Sequence, residues 1–212
     1  MNLIYIHGLD SDSNSTKGLL LEQYCQQYYP EISVFRPDLN KSPVQVFAQL
    51  TDLVAESGNV SETVLIGSSL GGYFATLISN HTGCPALLLN PSTQPHITLQ
   101  RFSNNTILEA TTDNIKSSDQ VLHTTTGGWK ITCADLQWFA EHQLQSVHYP
   151  TKVAVLIKEG DELLDPSLSK VFYQQQDTAV TLQAGGDHRF SDFSEQLPMT
   201  INILQKLVGV KI

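Results

Sequence analysis

Basic side chains are scarce in this sequence. Its 212 residues include 12 Lys and Arg against 21 Asp and Glu, which gives a formal net charge of −9 at pH 7. A nucleic-acid-binding surface needs a clustered excess of Lys and Arg, because the phosphate backbone must be neutralised. The composition therefore argues against a nucleic-acid partner and against attraction to an anionic membrane surface.

Cysteine is also scarce, and long apolar runs are missing. We expect Cys25, Cys84 and Cys133 to pack as small apolar residues in a reducing compartment, because they form no Cys-x-x-Cys pair. No apolar run approaches the roughly 18 residues that span a bilayer. The opening residues also lack the basic region and apolar core of a secretory signal. These absences predict a cytoplasmic protein without a membrane span.

Motifs for metals and nucleotides are missing as well. His142 and His148 are six residues apart, which does not put both on one face of a helix, and neither HxxxH nor HExxH occurs. The glycine patterns of dinucleotide-binding and P-loop sites do not occur either. We therefore expect no metal ion and no bound nucleotide.

Short apolar runs alternate with amphipathic stretches of helical length. Strands are predicted at 2–6, 32–36, 63–67, 86–90, 152–158 and 179–183, and helices at 16–29, 43–56, 70–81, 167–176 and 193–208. Continuously apolar runs such as VLIG and KVAVLIK are typical of strands that helices cover on both faces. The pattern predicts one α/β domain over 1–212, with a doubly wound, mostly parallel sheet of about six strands.

The interval 91–150 breaks this alternation. It is longer than a simple crossover requires and rich in Thr, Ser, Asn and Gln, with helices expected near 95–103 and 134–147. It is either a small cap over the site or a locally disordered insert. Trp129, Trp138 and Phe139 favour the cap, because a disordered tract would lack such apolar material. As a cap, it would contribute these three side chains to an acyl pocket.

Residues 63–72 read TVLIGSSLGG and contain a G-x-S-x-G pattern centred on Ser69. Between a strand and a helix, this pattern indicates a sharp, strained turn that exposes a nucleophilic hydroxyl at the edge of the sheet. Gly67 and Gly71 are small enough for the surrounding backbones to approach. The alternative is a glycine-rich turn without a function, but the apolar strand before it and the helix after it favour a nucleophile.

A serine hydroxyl becomes a good nucleophile only when a neighbouring base takes its proton. Six histidines follow Ser69, and only His188 lies after the last predicted strand, in the loop AGGDHRF before the final helix. The chain order serine, acid, histidine is the one that this type of turn requires. His188 is therefore the predicted general base, and an exposed histidine in an ordinary turn is the alternative.

The segment GDELLDP offers three carboxylates as the acid that would orient the histidine. Sequence order admits any of Asp161, Glu162 and Asp165. Asp161 is favoured because it lies just beyond a predicted strand, where it could accept a hydrogen bond from the second imidazole nitrogen. Asp165 precedes a proline and a helical stretch, so capping of that helix explains it.

An oxyanion hole needs two backbone amides close to the nucleophile. The amide of Leu70, directly after Ser69, is the first candidate, and the amide of Leu9, in the loop after the first strand, is the second. His7 precedes this loop and is expected to shape it rather than to act as a second base.

The segments IYIHGLDSDSNSTKG, IGSSLGGYFAT, LLLNPS, EGDELLD and GGDHRFSDF resemble the α/β-hydrolase superfamily, and more narrowly the YqiA-type bacterial esterases. The resemblance runs from residue 3 to the final helix and is weakest between 96 and 150. It implies a compact cytoplasmic hydrolase that needs no cofactor. It also implies Ser69, Asp161 and His188 as the triad, and a small acyl ester or thioester as the substrate.

These patterns leave three hypotheses for the function. The first is hydrolysis of carboxylic esters or thioesters through an acyl-enzyme. The second keeps the same triad but performs elimination or cleavage of a C–C bond. The third is a hydrolase-fold binding protein without turnover, which is disfavoured because such proteins commonly lose a triad member. The sequence indicates neither the acyl chain length nor the oligomeric state.

Overall fold

Six parallel strands form the central sheet of the computed structural model, which describes residues 1–107 and 118–209. Two further strands form a separate pair, so the described residues contain eight strands. In chain order they are β1 (Asn2–Ile6), β2 (Ser33–Phe35), β3 (Thr63–Ser68), β4 (Ala86–Leu89), β5 (Val121–Thr124), β6 (Lys130–Thr132), β7 (Val153–Lys158) and β8 (Ala179–Gln183). The sheet has the order β2-β1-β3-β4-β7-β8, and β5 and β6 form a separate antiparallel pair. The predicted parallel sheet of about six strands is confirmed.

Helices cover both faces of this sheet. They are α1 (Thr16–Tyr28), α2 (Pro43–Glu56), α3 (Leu70–Thr82), α4 (Pro95–Thr98), α5 (Gln100–Ile107), α6 (Cys133–Glu141), α7 (Pro166–Gln174) and α8 (Phe193–Leu207). Buried residues of α1 and α8 share one core cluster. Those of α2, α3, α6 and α7 share the other. The predicted doubly wound arrangement is therefore present.

Successive residues of the central strands contribute to opposite faces. In β1, Leu3 and Tyr5 belong to the core under α1 and α8, whereas Ile4 and Ile6 belong to the core under α2 and α3. All four side chains are at most 2% exposed. Because both faces need apolar side chains, the strands are continuously apolar instead of alternating.

The predicted helices of the interval 91–150 are only partly correct. The helix expected near 95–103 is divided into α4 and α5, and the hairpin of β5 and β6 was not predicted. The helix expected over 134–147 ends at Glu141, because the following segment bonds to α3 instead. The Tyr73 hydroxyl donates to the His142 carbonyl at 2.6 Å, and the Asn80 amide donates to the Ser146 carbonyl at 2.8 Å. Part of the interval, 108–117, lies outside the described residues.

Three aromatic residues of this interval lie in the core against α2 and α3. Phe139 is fully buried, with its ring 5.4 Å from that of Tyr73 and 6.0 Å from that of Phe74. Trp129 is buried and its indole N–H donates to Asp135 at 3.1 Å. Trp138 packs against the same cluster. None of the three is among the described residues around the cleft beside Ser69. Trp129 instead lines a small neighbouring pocket with Leu9 and Leu70.

Across the two described ranges, no helix is both long and apolar enough to cross a bilayer.

His7 fixes the loop that follows β1. Its Nδ1 lies 2.9 Å from the Gly8 carbonyl oxygen, and its Nε2 lies 3.0 Å from the Leu39 amide nitrogen, which donates to it. A carbonyl can only accept, so Nδ1 carries the proton and the ring is neutral. Burial lowers the pKa of His7, and weaker attraction to Asp38 and Asp12 acts in the opposite direction. As the sequence indicated, His7 shapes this loop.

This arrangement predicts a loss of stability in mild acid. Below about pH 6.5 the unfolded chain protonates His7 while the folded protein does not, so the free energy of unfolding falls as the pH falls, by up to about 1.4 kcal/mol per pH unit. In His7→Gln the side-chain oxygen can still accept the Leu39 amide without titrating. Urea unfolding at pH 7.5 and 5.5 should show a smaller pH difference for the variant. An equal difference in both proteins would refute the assignment.

Candidate active site

Ser69 occupies the sharp turn between β3 and α3. Its backbone has φ 57° and ψ −120°, a conformation that is strained for a residue with a side chain. Backbone hydrogen bonds hold it there: its amide donates to the Leu89 carbonyl at 3.0 Å, and its carbonyl accepts from the amides of Gly72 at 2.9 Å and Ser92 at 3.0 Å, among others. The strained turn predicted from the sequence is present.

Glycines let three backbone segments meet at this turn. A Cβ on Gly67 would collide with the Gly71 carbonyl, and a Cβ on Gly71 would collide with the Ile6 carbonyl of β1. A Cβ on Gly8 would lie 3.2 Å from the Cβ of Ser69, so the loop after β1 packs directly against Ser69. Larger residues at these positions would push the turn out of the sheet edge.

His188 reaches Ser69 from the loop between β8 and α8. Gly185 and Gly186 have φ of 65° and 73° and allow this loop its left-handed backbone. The Nε2 atom of His188 lies 2.9 Å from the Ser69 Oγ, and its Nδ1 lies 2.8 Å from the Asp161 Oδ2. Because a carboxylate can only accept, Nδ1 donates to Asp161, which leaves Nε2 free to accept the serine proton.

Asp161 follows β7 and turns back toward the histidine. Its side chain is only 2% exposed. Besides the imidazole, its Oδ1 accepts the amides of Leu163 at 2.9 Å and Leu164 at 2.8 Å. These bonds fix the carboxylate on the backbone of its own turn, so it orients the His188 ring from a rigid position.

The other two carboxylates of this segment serve different purposes. Asp165 caps α7 by accepting the amide of Ser167 at 2.8 Å, as its place before a helix indicated. Glu162 accepts the backbone amide of His188 at 3.0 Å. The structure thus distinguishes three acids that sequence order alone does not distinguish. Asp161 contacts the ring of His188, Glu162 contacts the backbone of His188, and Asp165 contacts neither.

Leu9 and Leu70, whose amides were predicted to form an oxyanion hole, both line the cleft beside Ser69. Leu70 is the first residue of α3, and the first amides of a helix have no intrahelical acceptor. Leu9 adjoins Gly8, which packs against the serine. The two backbones therefore approach Ser69 from the turn itself and from the loop after β1.

Asn90 is a site residue to which the sequence analysis gave no role. It follows β4 with φ 42° and is only 2% exposed. Its side-chain oxygen accepts the amide of Lys158 at 2.8 Å, and its side-chain nitrogen donates to the carbonyls of Asp187 at 3.1 Å and His188 at 3.3 Å. Asn90 thereby fastens the histidine loop to the ends of β4 and β7. The one signal was a polar residue at the end of the apolar run LLLN.

A cleft of about 740 Å³ opens beside Ser69 and His188. Part of its wall is apolar and consists of Leu20, Leu99, Leu163, Leu164, Phe190 and Phe193. The loop after β1 supplies polar side chains, and α4 and α5 supply Thr98 and Arg101. Within the described part of the chain, no group of three or more His, Cys, Asp or Glu side chains is arranged to hold a metal ion.

Solved structures of the α/β-hydrolase superfamily share this architecture. Est1E from Butyrivibrio proteoclasticus superposes with a TM-score of 0.67 at 14% identity, over 97% of this chain and 85% of that one. Mouse alpha/beta hydrolase domain-containing protein 10 gives 0.66 at 16% identity, over 97% and 90%. The monoacylglycerol lipase of Paleococcus ferrophilus gives 0.64 at 14% identity, over 99% and 95%.

At these identities the likeness shows the fold, which is that of the α/β hydrolases, as the sequence predicted. A family model matches residues 2–205, almost the whole chain. The protein therefore belongs to the uncharacterised protein family UPF0227.

Proposed function

We propose that this protein is a serine hydrolase that cleaves small-molecule carboxylic esters or acyl thioesters through an acyl-enzyme. One observation carries the proposal: the hydrogen-bonded series from the Ser69 hydroxyl through the His188 ring to the Asp161 carboxylate, with heavy-atom distances of 2.9 and 2.8 Å. Such a series activates a serine hydroxyl, because the imidazole accepts its proton while the carboxylate stabilises the resulting imidazolium.

The chemistry follows from these contacts. The Ser69 Oγ attacks the carbonyl carbon as its proton moves to the His188 Nε2, and the developing oxyanion is held by the amides of Leu9 and Leu70. The imidazolium then protonates the leaving alcohol or thiol, which yields the acyl-enzyme. In the second half, His188 takes a proton from water as the water oxygen attacks the acyl carbon. The imidazolium then returns a proton to the Ser69 Oγ as the bond from Oγ to the acyl carbon breaks, which releases the acid and restores Ser69 and neutral His188.

The structural neighbours are consistent with an ester substrate. One is a monoacylglycerol lipase, and Est1E has been solved with ferulic acid bound. The cleft of this protein likewise combines an apolar wall with polar groups beside the serine. We also propose that 91–150 acts as a partial cap, and Thr98, Leu99 and Arg101 at the cleft support this.

Replacement of Ser69 tests the nucleophile. Ser69→Ala should abolish labelling by a fluorophosphonate and lower kcat for p-nitrophenyl hexanoate by on the order of 10⁴-fold or more, because the attacking oxygen is gone. Ser191→Ala, which alters another serine of the same cleft, is the matched control and should label normally. Retention of wild-type hydrolysis by Ser69→Ala would rule out the mechanism, including its variants that cleave C–C bonds.

Two asparagine substitutions test the acid. Asp161→Asn should leave the fold intact and lower kcat by up to roughly 10⁴-fold, because the amide favours the wrong imidazole tautomer. Asp165→Asn is the matched control and should be almost silent, since asparagine is also a good N-cap. The kinetics of ester hydrolysis and the melting temperature of each variant decide it. Loss of activity in Asp165→Asn, with Asp161→Asn active, would identify Asp165 instead of Asp161 as the acid that orients His188.

A further inference from the structure

The cleft beside Ser69 holds more basic residues than the composition of the chain would suggest. Among the described residues, three basic ones line it, namely Lys17, Arg101 and Arg189, against two acidic ones, Asp10 and Asp12. The described cleft is thus formally positive in a chain whose net charge is −9. This reversal of sign at the site indicates a ligand with negative charge.

Lys17 lies next to the reacting groups. Its ammonium donates to the carbonyl of Arg189, the residue after His188, at 2.6 Å. An ammonium has three N–H donors, so this bond leaves two of them. Among the described residues, no carboxylate lies within 4.0 Å of the Lys17 ammonium. Lys17 thus lines the cleft with no ion-pair partner within the described part of the chain.

The neighbouring carboxylates bind backbone amides. Asp10 accepts the amide of Thr126 at 3.0 Å, and Asp12 accepts the amide of Asn14 at 2.7 Å. Asp187, which attracts Lys17 from a greater distance, accepts the amide of Ser191 at 3.0 Å. Asp12 and Asp187 thus bond within their own loops, Asp10 bonds to the turn between β5 and β6, and none of the three lies within 4.0 Å of the Lys17 ammonium.

Lys17 is half-buried, and its ammonium is partly withdrawn from water. Desolvation lowers the pKa of Lys17 to about 8, against the opposing attraction of Asp187. An anion that entered the cleft would supply the missing partner, and charge-assisted hydrogen bonds of this kind are among the stronger ones in proteins. The cost of burying the charge is then offset in the complex rather than in the free protein.

We propose that Lys17 binds an anionic group of the substrate, a carboxylate or a phosphate, with Arg189 and Arg101 as further cations of the same cleft. This inference rests on the proposed ester hydrolysis. The apolar wall, including Leu20 and Phe193, receives the aliphatic part of the substrate. The substrate class is therefore an ester or thioester that carries a negative charge on its acyl chain or on its leaving group, within reach of this cleft.

Matched substrates locate the charge. Mono-p-nitrophenyl adipate and p-nitrophenyl hexanoate differ only in a terminal carboxylate on the acyl chain. Hexanoyl-4′-phosphopantetheine and hexanoylpantetheine differ only in the phosphate of the leaving group. In at least one pair the wild-type enzyme should prefer the anionic member in kcat/KM, and Lys17→Met should reduce that preference about tenfold or more. The pair that responds identifies the source of the charge.

The controls separate binding from folding. Lys17→Arg should restore the preference, and Lys130→Met, at an exposed lysine of β6, should leave it unchanged. Because Lys17 also holds the histidine loop, a loss shared by neutral and anionic substrates is structural, and only the ratio tests the subsite. A ratio that Lys17→Met leaves unchanged in both pairs would overturn the proposal.

Failure of the proposed function would give a different result. If none of the four substrates is hydrolysed, ester hydrolysis is wrong, and the subsite is judged by calorimetric titration of Ser69→Ala and Ser69→Ala/Lys17→Met with monomethyl adipate and methyl hexanoate. Tighter binding of the anionic ester that depends on Lys17 would support the subsite. Equal binding by both proteins would refute it.

Discussion

The close approach of three backbone segments at the Ser69 turn is the constraint on which the rest of the site depends. β1, β3 and the start of α3 approach so closely that no side chain fits at Gly67 or Gly71. Gly8 packs against the serine itself. The positive φ of Ser69 persists because its own amide and carbonyl are both bonded across the sheet edge. This backbone conformation fixes the position of the Ser69 hydroxyl beside the loop that carries Leu9.

The parallel sheet brings the remaining groups to the same edge. β3, β4, β7 and β8 run in one direction, so the residues after each of them gather at their carboxyl ends. Ser69 follows β3, Asp161 follows β7 and His188 lies in the loop after β8. Asn90, after β4, bonds to the backbone of Lys158 at the end of β7 and to the backbone of His188. These bonds hold the histidine loop against the end of β7.

The sequence predicted the sheet and the three residues of the hydrogen-bonded series, because apolar runs, glycine spacing and chain order depend on local residues. It did not predict where α6 ends, because the bonds from Tyr73 and Asn80 that end it come from a distant helix. It placed Phe139 in an acyl pocket, since an aromatic side chain has the same pattern in a core as in a cleft. The role of Asn90 depends on contacts 68 to 98 residues away and left little local trace.

The central claim is that Ser69 forms an acyl-enzyme, and mass spectrometry tests it most directly. After rapid mixing of the His188→Ala variant and of the wild-type protein with excess p-nitrophenyl acetate, the wild-type protein quenched in acid should gain the mass of one acetyl group. Peptide mapping should place that group on Ser69, and the variant should remain unmodified because no base activates the hydroxyl. Turnover of the ester with the acetyl group on a residue other than Ser69, or equal turnover by the His188→Ala variant, would contradict the account.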